Sequence, residues 1–417
     1  MKQSILLSLL TLGSFSSAQA TNYYVSSGAN SLVTGVNATG GGRGLSASLP
    51  FATIQYAADR TLPGDTVFVR QGTYAPPFSY SASVVDITRG GTPSQWIVYR
   101  NYRTERPLVS FRTWTGIRIN AAVGYIEING FRIQGNNANV TLAHATNQPG
   151  GCAANGVGTA LPIYNGSGIS ADGRPGQSTG HPHHLRFVNN EVFDCGTAGI
   201  SAIQSDYITI ENNLIYNNCW YSIFGSSGIS FLASWNFNNA PGYHMIVRNN
   251  RLFGNRLLVP WYNASATTAD KCQGISDGNG IIVDTNRELT YMGSTLIANN
   301  LVVNNGGAGV QVFKSDNVDI INNTFYQNSR SPERNADRGE VFTNLSDNIL
   351  VQNNIMATDN ISKVSGTSRT PNLTYNHNLL FGGIGTPVLG TNFLRTNPQF
   401  VNPTLDPFTA DFRVQGT

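Results

Sequence analysis

Apolar and polar residues alternate in short bursts along this chain, and glycine and asparagine punctuate the bursts. Five segments open on glycine and then alternate: GISA from Gly168, GISAI from Gly199, GISFL from Gly228, GIIVD from Gly280 and GVQVF from Gly309. The first and third residues after the glycine are mostly apolar, as in Ile200 and Ala202 or Val310 and Val312. The second is usually polar, as in Ser170, Ser201, Ser230 and Gln311. A period of two gives one buried and one open face, so each segment reads as a strand. A second strand follows, as in Tyr207 to Ile210, His244 to Val247 and Val318 to Ile321, and leads into an Asn-Asn pair and a third short strand.

These pairs recur at Asn189-Asn190, Asn212-Asn213, Asn249-Asn250, Asn299-Asn300, Asn322-Asn323 and Asn353-Asn354. From the second Asn of each, the spacings are 23, 37, 50, 23 and 31 residues. The base period is 23, and the longer gaps are a turn plus an insertion. Three short strands per turn of that length predict an all-β, single-stranded right-handed parallel β-helix. Its coils stack at about 4.8 Å, so like residues line up. Asparagine suits the corners, because it tolerates left-handed backbone and its amide bonds an identical neighbour above and below. The asparagines therefore read as scaffold.

Upstream, Pro50 to Asp59 (PFATIQYAAD) reads as a short amphipathic helix placed to cap the open first coil. With PGDTVFV from Pro63 and QGTY from Gln71 it resembles the start of secreted right-handed β-helix proteins, and NPQFVNP and DFRVQ resemble their tail. The resemblance covers nearly all of residues 21–417. That superfamily includes polysaccharide lyases, epimerases, glycosidases and phage-tail proteins, so the resemblance implies a fold more than a function.

The chain has 417 residues and a formal charge of +3. That charge is too weak, and basic runs are too scarce, to point to nucleic acid. Met1 to Ala20 reads as a secretory signal: Lys2, the apolar run Ile5 to Leu12, then Ala18-Gln19-Ala20. The run is too short to span a bilayer, so the expectation is one β-helix domain over 21–417, secreted or periplasmic, monomeric and free of the membrane. Export permits disulfides. Cys195 and Cys219 lie five and six residues beyond the second Asn of consecutive pairs, which predicts one bridge. Cys152 and Cys272 both sit in insertions before a glycine-led strand, which predicts a second.

Function is expected where regularity breaks. Insertions near 136–167, 173–183, 235–242, 256–279 and 287–293 all flank glycine-led strands, and none interrupts an Asn-Asn corner. Loops on both sides of one sheet make a groove suited to a polymer. Beside it, Asp284 and Lys314 follow consecutive glycine-led strands. Lys314 is one of only three lysines after the leader, with Lys271 and Lys363. A lysine there suits a base that removes the proton α to a uronate carboxylate. Asp277, Asp284 and Asp172 are oxygen donors of the kind that bind Ca²⁺. The pattern is similar to calcium-dependent β-helix pectate lyases. That similarity implies a polysaccharide lyase acting on an acidic polysaccharide, with Asp284 as calcium ligand and Lys314 as base.

A metal-independent lyase would instead neutralise the uronate with His244, Arg256, Asn286 or Arg287. Trp261, Tyr262 and Lys271, in the largest insertion, are candidate substrate contacts. The alternatives are a glycoside hydrolase using paired aspartates, such as Asp284 with Asp277 or Asp172, and a non-catalytic carbohydrate-binding surface protein. The run His181-Pro-His-His184 reads as the entry to a strand.

Overall fold

The computed structural model describes residues 19–29, 32–76, 82–267, 270–331 and 338–415. The expected leader, apart from residues 19 and 20, lies outside them. The chain winds into three long parallel sheets. The glycine-led sheet has nine strands, from Ser83–Asp86 to Ser365–Ser368. The second sheet has 11, from Asn22–Val25 to Leu373–Asn376. The third has ten, from Thr73–Tyr74 to Leu379–Phe381. Each strand pairs with its counterpart one coil away, which is the right-handed parallel β-helix that the repeat predicts.

The register follows the alternation. Ile200, Ile229, Ile281 and Val310 stack in one inward column and Ala202, Phe231, Val283 and Val312 in another. All are fully buried. Each such aliphatic contributes roughly 1.5–3 kcal/mol of burial, and the columns form one continuous core. Between them the second residue of each strand, Ser201, Ser230, Ile282 and Gln311, faces outward.

The asparagine corners divide their work. The first Asn of each pair takes a positive φ, 57° at Asn189 and Asn212 and 58° at Asn249. The second is buried and forms the ladder: the amides of Asn190, Asn213, Asn250, Asn300, Asn323 and Asn354 each donate to the next side-chain oxygen at 2.9 to 3.2 Å, the last of them to Asn378. A second ladder runs beside it through Asn218, Asn255, Asn305 and Asn328. It ends on the buried carboxyl of Glu340, which stands where the next asparagine would.

The capping helix spans only Ile54–Ala58, with the Thr53 hydroxyl accepting from the Tyr56 N–H. Ile54, Ala57 and Ala58 close the core. Phe51, expected in the helix, instead bridges to Val25. At the other end, Phe400–Asn402 pairs antiparallel with Asp411–Val414. This hairpin packs Phe400 and Phe412 on Tyr326, and Phe408 on Tyr216, outside the third sheet. No helix of the described residues is long and apolar enough to cross a membrane.

Candidate functional site

The insertions gather on the two margins of the glycine-led sheet. On the margin before the strands, Cys152 and Cys272 form the expected disulfide, with Cα atoms 5.6 Å apart. It ties the loop at 136–165 to the loop at 256–279. A third loop, 217–228, was hidden inside the 37-residue spacing. It inserts Tyr221 beside Ala145 and Val259. On the margin after the strands, His181 stacks on Trp235 at 4.4 Å. Asn236 holds the next loop through the Thr290 carbonyl and the Met292 N–H. The floor between the margins is narrow and well shielded: Ser170, Ser201, Ile282 and Gln311 are all buried.

Asp284 ends the strand Ile281–Asp284 on this floor. One carboxyl oxygen, Oδ1, is buried without a hydrogen-bond partner. Burial, then the charges of Asp277 and Glu288, push its pKa up to about 7, against a smaller lowering by Lys314. An acid so placed keeps its proton to a higher pH than a free carboxyl, and its buried oxygen has no protein partner. Asp277 lies at the other margin, three residues before Gly280, where it accepts from the Ser276 hydroxyl at 2.7 Å beside Gly225. Asp284 pairs in register with Phe313, not Lys314. Lys314 therefore sits diagonally from it, at a corner with φ 47°, its ammonium 5.2 Å from the Phe313 ring. Next to Asp284, outward Gln311 receives the guanidinium of Arg338.

The other expected residues lie elsewhere. His244 is only 2 % exposed; its Nδ1 faces the Asp206 carboxylate at 3.1 Å and its Nε2 the Ala240 carbonyl at 2.9 Å. It is an internal anchor whose two ring nitrogens are both taken. Its partner Asp206 has a structural role of its own. It is fully buried and also binds the Tyr291 hydroxyl and the Phe237 and Tyr207 N–H groups. It thereby pins the loops at 235–242 and 287–293 that border the site.

Arg256 turns to the Asn304 side chain and carbonyl, and burial lowers its pKa. Arg287 forks onto Asp316. Asn286 is buried and accepts from the Ser234 N–H. Tyr262 packs its ring on Gly156, Trp261 lies against Gly225, and Lys271 donates to the Ala264 carbonyl at 3.1 Å. These three hold the large loop together.

Two expectations are corrected. Cys195 and Cys219 are both free and buried. Cys195 aligns with Asn218, whose side chain receives its N–H. Cys219 is therefore one residue out of register: Cys195 enters the core, while Cys219 lies outside it with its N–H on the Cys195 carbonyl at 3.0 Å. The three aspartates also do not converge. Asp172 shares a column with Asp284 but two strands intervene, and Arg174 holds its carboxylate at 2.6 Å. Among the described residues no group of three or more His, Cys, Asp or Glu side chains comes together to hold a metal. Asp172 therefore does not share a site with Asp284 and Asp277.

No family model and no curated protein matches this chain. Solved structures do. XylC in complex with xylose aligns over 90 % of this chain and 70 % of its own, at 12 % identity and TM-score 0.52. Pectate lyase Pel9A aligns over 95 % and 90 %, at 13 % identity and TM-score 0.46. A GH136 lacto-N-biosidase from Eubacterium ramulus aligns over 86 % and 56 %, at 14 % identity and TM-score 0.48. At such identities the likeness shows a common fold, the parallel β-helix, and no shared activity.

Proposed function

We propose that this protein is an enzyme that cleaves a glycan in the groove along the glycine-led sheet, with Asp284 as its proton donor. The observation that carries this reading is the Asp284 carboxyl, held at a pKa of about 7 with Oδ1 unpartnered on the groove floor. Protonation of the glycosidic oxygen needs an acid still protonated near working pH, and burial beside another carboxylate supplies one. Asp277 is the second carboxylate. Two acids beside one glycosidic bond are the equipment of a glycoside hydrolase, one donating the proton and the other acting on water or on the sugar. No step runs through a metal.

Elimination is the second reading, favoured by Lys314, whose charge is felt at Asp284, and by Gln311 with Arg338 at the neighbouring outward position. There Gln311 and Arg338 would neutralise a uronate and Lys314 would take the α proton. The readings separate by product. The protein is incubated with neutral glycans, pectate, alginate and glucuronan, and both reducing ends and the ultraviolet absorbance of unsaturated sugars are followed. Hydrolysis gives reducing ends without absorbance, abolished in Asp284→Asn. Absorbance that disappears in Lys314→Ala establishes elimination instead. Turnover unchanged by Asp284→Asn refutes the proposal.

A further inference from the structure

On the outer face of the second sheet, away from the groove, lies a cleft of about 160 Å³ floored by Thr209 and Ile246. Its walls are aromatic on three sides. Trp96 carries the Arg186 guanidinium flat on its ring at 3.9 Å. Opposite stands Tyr243, 41 % exposed and tethered through its hydroxyl to Asp319. Along the corner, His184, Tyr207 and His244 stack ring on ring at 4.3 and 3.9 Å. In register with Thr209 and Ile246 the face continues as Leu296 and Asp319, with no ring. The aromatic cluster is thus local to these coils.

We propose that this cleft binds one pyranose ring of a glycan chain, independently of the groove. The chemistry is amphipathic in the way a sugar is. The C–H faces of a pyranose pack on aromatic rings, and its rim of hydroxyls needs planar and hydroxyl partners. Arg186 stacks on Trp96 and has only a 3.8 Å contact with Glu127, so it presents donors in a fixed plane at the rim. Thr209 adds a hydroxyl on the floor. His184 is neutral at physiological pH, since burial and the neighbouring His183 and His244 lower its pKa to about 4. It can therefore donate or accept. A bare anion would not need the rings, and an apolar peptide would not need Arg186 and Thr209. The volume suits one ring of a chain that continues in solvent.

The test is affinity electrophoresis of the whole protein in native gels containing xylan, pectate or alginate. Trp96→Ala removes a wall. Thr209→Arg fills the floor from a half-buried outward position and spares the core, so it stays informative if Trp96→Ala fails to fold. Wild-type protein is expected to be retarded by at least one of these polysaccharides, and each folded variant to bind it at least tenfold more weakly. Folded wild-type protein unretarded in all three gels overturns the proposal. So does retardation undiminished in Thr209→Arg, which would locate binding elsewhere.

Discussion

Asn300 and its neighbour Asn299 are identical in sequence and opposite in role, and that difference gives a sharp test of the scaffold. The Asn300 side chain makes four hydrogen bonds in a site only 1 % exposed. Its amide donates to the Val247 carbonyl at 2.9 Å and to Asn323 Oδ1 at 3.0 Å. Its oxygen accepts from the backbone N–H of Asn250 at 2.9 Å and from the Asn250 amide at 3.0 Å. Truncation to alanine leaves the Asn250 N–H and the Val247 carbonyl without these partners in a dry interior. The Asn250 amide keeps Ile210 and Arg248, and Asn323 Oδ1 keeps the backbone N–H of residue 300. Two stranded groups at about 1–3 kcal/mol each put Asn300→Ala at about 2–6 kcal/mol of destabilisation. Asn299 is exposed, and its φ of 56° is its main contribution. Asn299→Ala therefore costs about 1–2 kcal/mol, and Asn299→Gly less. Urea unfolding followed by circular dichroism reads both from the midpoint. Equal losses at the two positions would refute the division of labour between corner and ladder.

Removing the Cys152–Cys272 bridge by a double Cys→Ser change releases a closed segment of 120 residues. It is expected to cost about 2–4 kcal/mol, measured by the same unfolding curves. Thiol titration should find no fast-reacting group in the native protein and two on denaturation, those of Cys195 and Cys219; a disulfide there would leave none. Glu340 is buried, and burial lifts its pKa from 4.5 to about 8. Its raised value means that stability is fully present below about 4.5 and is lost as pH rises through about 8, at up to about 1.4 kcal/mol per pH unit. Glu340→Gln should flatten that loss in pH-dependent melts. Chelation with EDTA is expected to leave turnover unchanged, since among the described residues no third acidic or imidazole ligand joins Asp284 and Asp277; a loss restored by Ca²⁺ would establish a calcium-dependent lyase.

Much of the fold was legible because a β-helix repeats its reasons. The glycine-led alternation and the Asn-Asn spacing carry strand order, register and the inward columns without any long-range information. The second asparagine ladder sits five residues beyond the first on four consecutive coils, at Asn218, Asn255, Asn305 and Asn328. It escaped notice because single asparagines make no doublet, although their spacings are the same. One-residue offsets were harder to see. They turn Cys219 away from Cys195 and set Lys314 diagonal to Asp284. Burial was not legible at all. His244 reads as a candidate to neutralise a uronate in sequence and is an anchor in the fold, because Asp206, 38 residues away, and the Ala240 carbonyl occupy both its nitrogens. The anchoring role of Asp206 was equally invisible, because its partners come from loops up to 85 residues distant. Of the candidate site, Asp284 and Asp277 were found from position alone. What sets Asp284 apart is its burial and its unpartnered oxygen, which only the packed structure defines.

The central claim is that Asp284 protonates the leaving oxygen of a glycan. The most direct measurement compares wild-type protein and Asp284→Asn on the natural glycan and on an aryl glycoside of the same sugar, whose leaving group needs no proton. The account predicts that the variant loses the natural substrate but keeps much of its aryl glycoside activity. It also predicts that the wild-type rate on the glycan declines as pH rises through about 7, where Asp284 loses its proton. Equal loss on both substrates, or the same decline with pH in wild type and variant, would contradict it.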